Sequence, residues 1–190
     1  NTPRHLFVGP HQQEEAYYDS PLSIGCGQTI SQPFIVALMT DLLDLEKSDR
    51  VLEIGTGSGY MAALLGYFAK SVTSVEILPV LAGFATANLN KNRVPNVHVE
   101  VGDGVKGWKI ESNLSYDLIC ISGGVVKVSE GLKSQLKVGG RLFAFVGQEP
   151  YMNALLIKRI SHDYFQTQIL FETLVPMLKI DERELTHFEF

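Results

Sequence analysis

The chain has 190 residues, 45% of them hydrophobic, and a formal net charge of −5, which suits one globular domain that buries roughly 70% of its unfolded surface. No apolar run approaches the ~18 residues of a membrane-spanning helix, no basic block marks a nucleic-acid surface, and Cys26 and Cys120 are too few for a disulfide framework and lack metal-ligand spacing. A cytoplasmic protein is the default expectation, although a chain that starts at Asn1 without a methionine leaves room for a leader or further N-terminal structure.

In chain order, Ser31-Gln32-Pro33 reads as a helix start, and Ile35, Leu38, Met39 and Leu42 then recur at i, i+3, i+4 and i+7, which predicts a helix ending near Asp44. Strands are predicted at 51–54, 72–77, 97–101, 118–122 and 141–146, with helices at 58–69, 79–90 and 128–136 between most of them. Such an alternation gives an α/β fold, a doubly wound and mostly parallel sheet with helices on both faces. After Pro150 two extended runs, 152–160 and 164–173, flank Ser161-His162-Asp163 and predict a C-terminal antiparallel hairpin closing the sheet. Repeats, low-complexity tracts and interdomain linkers are not visible, so 1–190 reads as a single domain, with 1–48 as an N-terminal cap on a core of 49–190.

The most informative stretch runs Val-Leu-Glu-Ile-Gly-Thr-Gly-Ser-Gly over 51–59, an apolar strand entering three alternating glycines. Gly55, Gly57 and Gly59 allow a tight turn and close approach of a ligand to the backbone, while Ser58 onward opens a helix whose free N–H groups face the site. Glu76 lies 21 positions after Gly55, close to the spacing at which an acid on the second strand accepts both ribose hydroxyls. Dinucleotide folds carry G-x-G-x-x-G and seat a pyrophosphate; here the pattern is G-x-G-x-G, preceded by Glu53, whose carboxylate suits a cationic ammonium or sulfonium and repels pyrophosphate. These residues point to S-adenosylmethionine.

Ligands of doubly wound sheets bind outside the carboxyl ends of the strands. Four loops fall there: 55–59, Glu76, Gly102-Asp103-Gly104, and Ser122-Gly123-Gly124. Asp103 is placed to accept from the adenine amino group, with glycines on either side leaving room for the ring. The competing reading is that these are ordinary turn residues.

Beyond the glycine motif, the run Gly25-Cys26-Gly27-Gln28-Thr29-Ile30-Ser31-Gln32-Pro33, the segment 49–60, Ser74-Val75-Glu76-Ile77, Gly102-Asp103-Gly104 and Lys137-Val138-Gly139-Gly140-Arg141-Leu142 resemble the protein-L-isoaspartate O-methyltransferase family. The likeness covers about 2–146 and returns weakly at Leu174-Val175-Pro176. It implies a Rossmann-like methyltransferase sheet. The implied activity is methyl transfer from S-adenosylmethionine to the free α-carboxylate of an isoaspartyl residue in a damaged protein, leaving S-adenosylhomocysteine; the ester then cyclises to a succinimide and repair begins. Cofactor-binding candidates are Ile30, Glu53, Gly55, Thr56, Gly57 and Ser58, together with Gly59, Glu76, Ile77, Asp103 and Gly104. Ser31 is the catalytic candidate, donating its hydroxyl to the substrate carboxylate; its bland alternative is a helix N-cap. Ser122 and Val175 join Ser31 as substrate-binding candidates. Protein or peptide substrates are the expected partners, with no nucleic acid, membrane or metal, and the oligomeric state stays open.

The pattern departs from the family after the fourth strand, where Ser122-Gly123-Gly124-Val125 replaces the usual Thr-Ala-Ala-Pro. That keeps alive a cofactor-binding homologue with another carboxylate substrate or with no catalysis. His5, His11, His98, His162 and His187 are scattered without metal spacing. Cys26 reads as a structural thiol. Trp108 either covers the adenine or plugs its loop onto the core, and Tyr17-Tyr18-Asp19 either shapes a peptide groove or packs the cap.

Overall fold

Strand β3 (Arg50–Ile54) lies inside a seven-stranded sheet, with four buried residues after the exposed Arg50. Val51 packs with Leu118 and Phe143 on one side, while Leu52 and Ile54 pack with Ile119 and Leu142 on the other, the pattern of a strand covered on both faces. The computed structural model describes residues 2–109, 112 and 114–181; His187 and the end of the expected 1–190 unit lie outside them.

Before β3, short 3₁₀ turns lead to a small antiparallel hairpin, β1 (Leu22–Gly25) and β2 (Gln28–Ile30), and to α1 (Pro33–Leu42). Phe7, Ala16, Leu22 and Ile30 share one core cluster with Val51 and Leu118, so the first residues pack onto the sheet. The remaining elements are α2 (Tyr60–Phe68), β4 (Ser71–Glu76), α3 (Pro79–Lys91), β5 (Val97–Val101), β6 (Tyr116–Val125), α4 (Glu130–Ser134), β7 (Leu136–Gln148), β8 (Tyr151–Arg159) and β9 (Phe165–Glu172). The sheet order is β5-β4-β3-β6-β7-β8-β9. The first five strands are parallel, and β8 and β9 are antiparallel additions, as the Rossmann-like reading with a C-terminal hairpin requires. The chain crosses from β5 back over to β6, so the reversal of strand order lies between β3 and β6, where a crevice opens at their carboxyl ends.

Several boundaries differ from the periodicity reading, each for a local reason. The helix expected over 128–136 is only Glu130–Ser134: Ser129 caps it by accepting from the Leu132 N–H at 3.2 Å, and Leu136 already pairs with Tyr116. The strand expected at 141–146 starts early because 137–140 bulge between the Tyr116 and Leu118 pairings, with Gly139 in a left-handed conformation. Strand β6 overruns its expected end at Ser122. Cys120 pairs with Phe143 and Gly124 with Phe145, which leaves 121–123 as a second bulge. At α1 the cap expected from Ser31 comes from elsewhere: Gln32 holds the N-cap position without a side-chain bond, and Asp19 Oδ1 accepts from the Phe34 N–H at 2.9 Å.

Candidate active site

The turn after β3 is shaped by its glycines. Gly57 and Gly59 adopt positive φ of 57° and 83°, and Gly59 places the N-terminus of α2. Gly57 then donates its N–H to Glu76 Oε2 at 2.9 Å, while Glu76 Oε1 accepts from Leu78 at 3.0 Å. The end of β4 and the glycine turn therefore hold one another. Glu76 is only 5% exposed, yet it lines a cleft of about 660 Å³, open to solvent, together with Gly55, Gly57, Ile77 and Asp103. Each of its oxygens has one backbone donor, which leaves acceptor capacity for two further hydroxyls.

Asp103, in the turn after β5, also lines the cleft; Oδ1 accepts from Val105 at 2.9 Å and Oδ2 from Asp181 at 3.0 Å. Gly104 leaves no room for a Cβ, since one built there would lie 2.6 Å from Ile54 Cδ1. Ser31, Ser122 and Val175 line the same cleft. A second, smaller hollow adjoins the first, sharing Ser31, Ser122, Gly55 and Gly57 and continuing past Ile30, Thr56, Ser58 and Tyr60. Ser31 and Ser122 thus stand where the two cavities meet. Among the described residues the Ser31 hydroxyl makes no hydrogen bond, so it is available to a ligand.

Glu53 occupies a different place from the one expected. It is fully buried and absent from the cleft wall, with Oε2 accepting from the Ser74 hydroxyl at 2.5 Å and Oε1 from Ser122 at 2.9 Å. Burial pushes its pKa up to about 8, against the opposing pull of the two serine hydroxyls and with a smaller push from Glu76. A carboxyl that holds its proton at neutral pH supplies no full negative charge to a cation; it reaches the cleft through Ser122. Gly59, too, shapes the turn without lining the cleft.

From the C-terminal segment, sequence reasoning names only Val175 as a site residue and misses those that follow it. Pro176, Leu178 and Lys179 line the cleft beside Val175. Gly124 donates to the Pro176 carbonyl at 2.9 Å and accepts from the Leu178 N–H at 2.8 Å, so the tail runs alongside the end of β6. The paired glycines after Ser122 were the available signal: a Cβ at Gly123 would fall 2.7 Å from Leu178, and one at Gly124 2.8 Å from Met177 Sδ. Trp108 does not reach the cleft; it packs on the second core cluster and donates Nε1–H to Glu100 at 3.2 Å, the plugging role. Cys26 sits in the exposed β1–β2 turn, and Tyr17 and Tyr18 are exposed.

Residues 1–180 match the family model for protein-L-isoaspartate(D-aspartate) O-methyltransferase. A protein-L-isoaspartate O-methyltransferase of Syntrophus aciditrophicus (strain SB) is 47% identical over 161 residues, covering 85% of this chain and 73% of the relative. A solved protein-L-isoaspartate O-methyltransferase superposes with a TM-score of 0.82 at 31% identity over 93% of this chain; the chain spans 58% of that protein. A Plasmodium falciparum protein of the same description, solved in complex with S-adenosyl-L-homocysteine, shares the fold with a TM-score of 0.77 at 21% identity, over 93% of this chain and 85% of that one.

Proposed function

The chain belongs to the protein-L-isoaspartate(D-aspartate) O-methyltransferase family, and we propose from its geometry how it moves a methyl group from S-adenosylmethionine to the free carboxylate of L-isoaspartyl residues. The observation that carries this reading is the convergence of the glycine turn, Glu76, Asp103 and Ser31 on one cleft. When bound there, S-adenosylmethionine supplies an electrophilic methyl on a sulfonium. The residues fit that cofactor. Glu76 keeps free acceptor capacity for a ribose, Gly55 and Gly57 bring backbone to the wall, and Asp103 with Gly104 leaves a flat acidic edge for a base.

The acceptor carboxylate has an ordinary pKa near ~3.5 and needs no general base. What the chain contributes is aim. Ser31 donates its free hydroxyl to that carboxylate, Ser122, whose own proton goes to Glu53, lines the same junction, and Val175 lies alongside for the backbone of an extended peptide. Fixing the two reactants at near-attack distance supplies on the order of 7–11 kcal/mol. Opposite charges neutralise one another in the transition state, so a wall of fixed dipoles replaces solvent with advantage.

The same reading takes 1–190 as one domain, capped by 1–48 over 49–190, acting on damaged proteins in the cytoplasm. A core shared by cap and sheet and two free cysteines support it. The decisive experiment offers labelled S-adenosylmethionine with an isoaspartyl peptide and with its normal aspartyl twin. Methyl transfer to the first alone is expected. Cofactor binding with no transfer to either would instead identify a module without catalysis.

A further inference from the structure

Ser31 belongs to neither neighbouring element: β2 ends at Ile30 and α1 begins at Pro33. Its carbonyl is therefore outside any ladder, and something else must hold it. That partner is Arg4, from the first 3₁₀ turn (Arg4–Phe7), whose Nη2 donates to the Ser31 carbonyl at 3.0 Å. The same nitrogen reaches the carbonyls of Ser20 at 3.3 Å and Ile30 at 3.4 Å, and Nη1 donates to the Ala16 carbonyl. Arg4 is 1% exposed, its Nε has no partner, and among the described residues it joins no ion pair. Burial lowers its pKa, opposed by Tyr60 and Asp19, but a guanidinium stays charged.

A buried, unpaired cation is costly if its only task is to staple a cap. An apolar side chain would fill the space without that cost. The charge has a use at the very residue whose hydroxyl is read as meeting an anion, since it holds the Ser31 carbonyl. We propose that Arg4 is a positioning residue of the acceptor site: its guanidinium fixes the Ser31 carbonyl, and so the aim of the hydroxyl, and it sets a positive charge beside the docking place of the substrate carboxylate. The proposal rests on the reading of Ser31 as the carboxylate's donor.

A double-mutant cycle over Arg4→Gln and Ser31→Ala, followed with an isoaspartyl peptide, tests it. Each single change should lower kcat/KM about 10- to 100-fold, the scale of a hydrogen bond to a charged group, and the double variant should be little worse than the poorer single, since both remove one function. Binding of S-adenosylhomocysteine, measured by calorimetry, should hold in all three. Arg4→Lys keeps the charge and loses the fork, so kcat should fall while KM stays near the parent value; Arg4→Gln should also raise KM. Losses that multiply in the double variant, or an equal loss of cofactor affinity, would overturn the assignment and leave Arg4 a structural staple. Should Arg4→Gln not fold, Arg4→Lys completes the same cycle. The two ideas fail separately: full activity in Ser31→Ala sinks the reading of Ser31 itself, whereas a slow Ser31→Ala beside fully active Arg4 variants sinks only the role of Arg4.

Discussion

The two walls of the cleft are built from different material. The proposed donor wall comes from the carboxyl ends of three adjacent parallel strands, β3, β4 and β5, and offers glycine backbone and two acids. The proposed acceptor wall gathers Ser31 from the segment before α1, Ser122 from a bulge in β6 and Val175 from the tail, and offers mainly hydroxyls. The donor wall therefore holds itself together by local bonds such as Gly57 to Glu76, whereas the acceptor wall stands only if distant segments are tied: Arg4 to Ser31, Ser122 to Glu53, Gly124 to Pro176.

The sharpest way to break that contrast is Glu76→Ala. The change removes the acceptor of the Gly57 and Leu78 N–H groups as well as the proposed grip on the ribose. Two bonds to a charged group, at roughly 1.5–3 kcal/mol each, predict at least a ~100-fold loss of S-adenosylhomocysteine affinity. Calorimetric titration reads it directly. A loss below tenfold would mean that the donor wall does not depend on this residue.

The same contrast explains what could be read in advance. The glycine turn, Glu76 and Asp103 are legible because a β-α-β unit fixes where the end of each strand goes, so position in the chain becomes position in space. The sheet with its C-terminal hairpin follows from the same periodicity. Glu53 was misplaced because its position just before the glycines does not say which way the side chain points; the alternation that sends Leu52 and Ile54 to one core turns Glu53 toward Ser74 and Ser122. Arg4 and the early start of β7 rest on long-range packing and bulges, for which no local pattern exists, and Leu178 is signalled only indirectly by the glycines at 123–124 that make room for it.

Glu53 supplies the next test, in stability rather than binding. Its folded pKa of about 8 lies above the ordinary 4.5, so the fold favours the protonated form. The stability this contributes is fully present below about 4.5 and is lost as pH rises through about 8. Glu53→Gln should remove that slope, and denaturant midpoints at pH 5 and pH 9 should show the variant gaining a few kcal/mol on the parent as pH rises. A parent that keeps pace with the variant from pH 5 to pH 9 would show a carboxylate already ionised in the fold at pH 5, and Glu53 would be a buried anion.

The smallest effect concerns how the tail is seated. Leu178 fills the hollows left by Gly55 and Gly123, where an added Cβ would lie 2.6 Å and 2.7 Å from its methyl. Leu178→Ala should cost about 1 kcal/mol, because the side chain is only half-buried and the tail can settle. Gly123→Ala should cost a similar amount alone, since Leu178 must rotate away. Made in the Leu178→Ala background it should cost almost nothing, as the obstructing methyl is gone. Thermal or denaturant unfolding of the four proteins gives the coupling, expected at about 0.5–1 kcal/mol in favour of the double variant. Additive costs would mean that the tail does not rest on the β6 bulge, and the acceptor wall would then owe its shape to the cap and bulge alone.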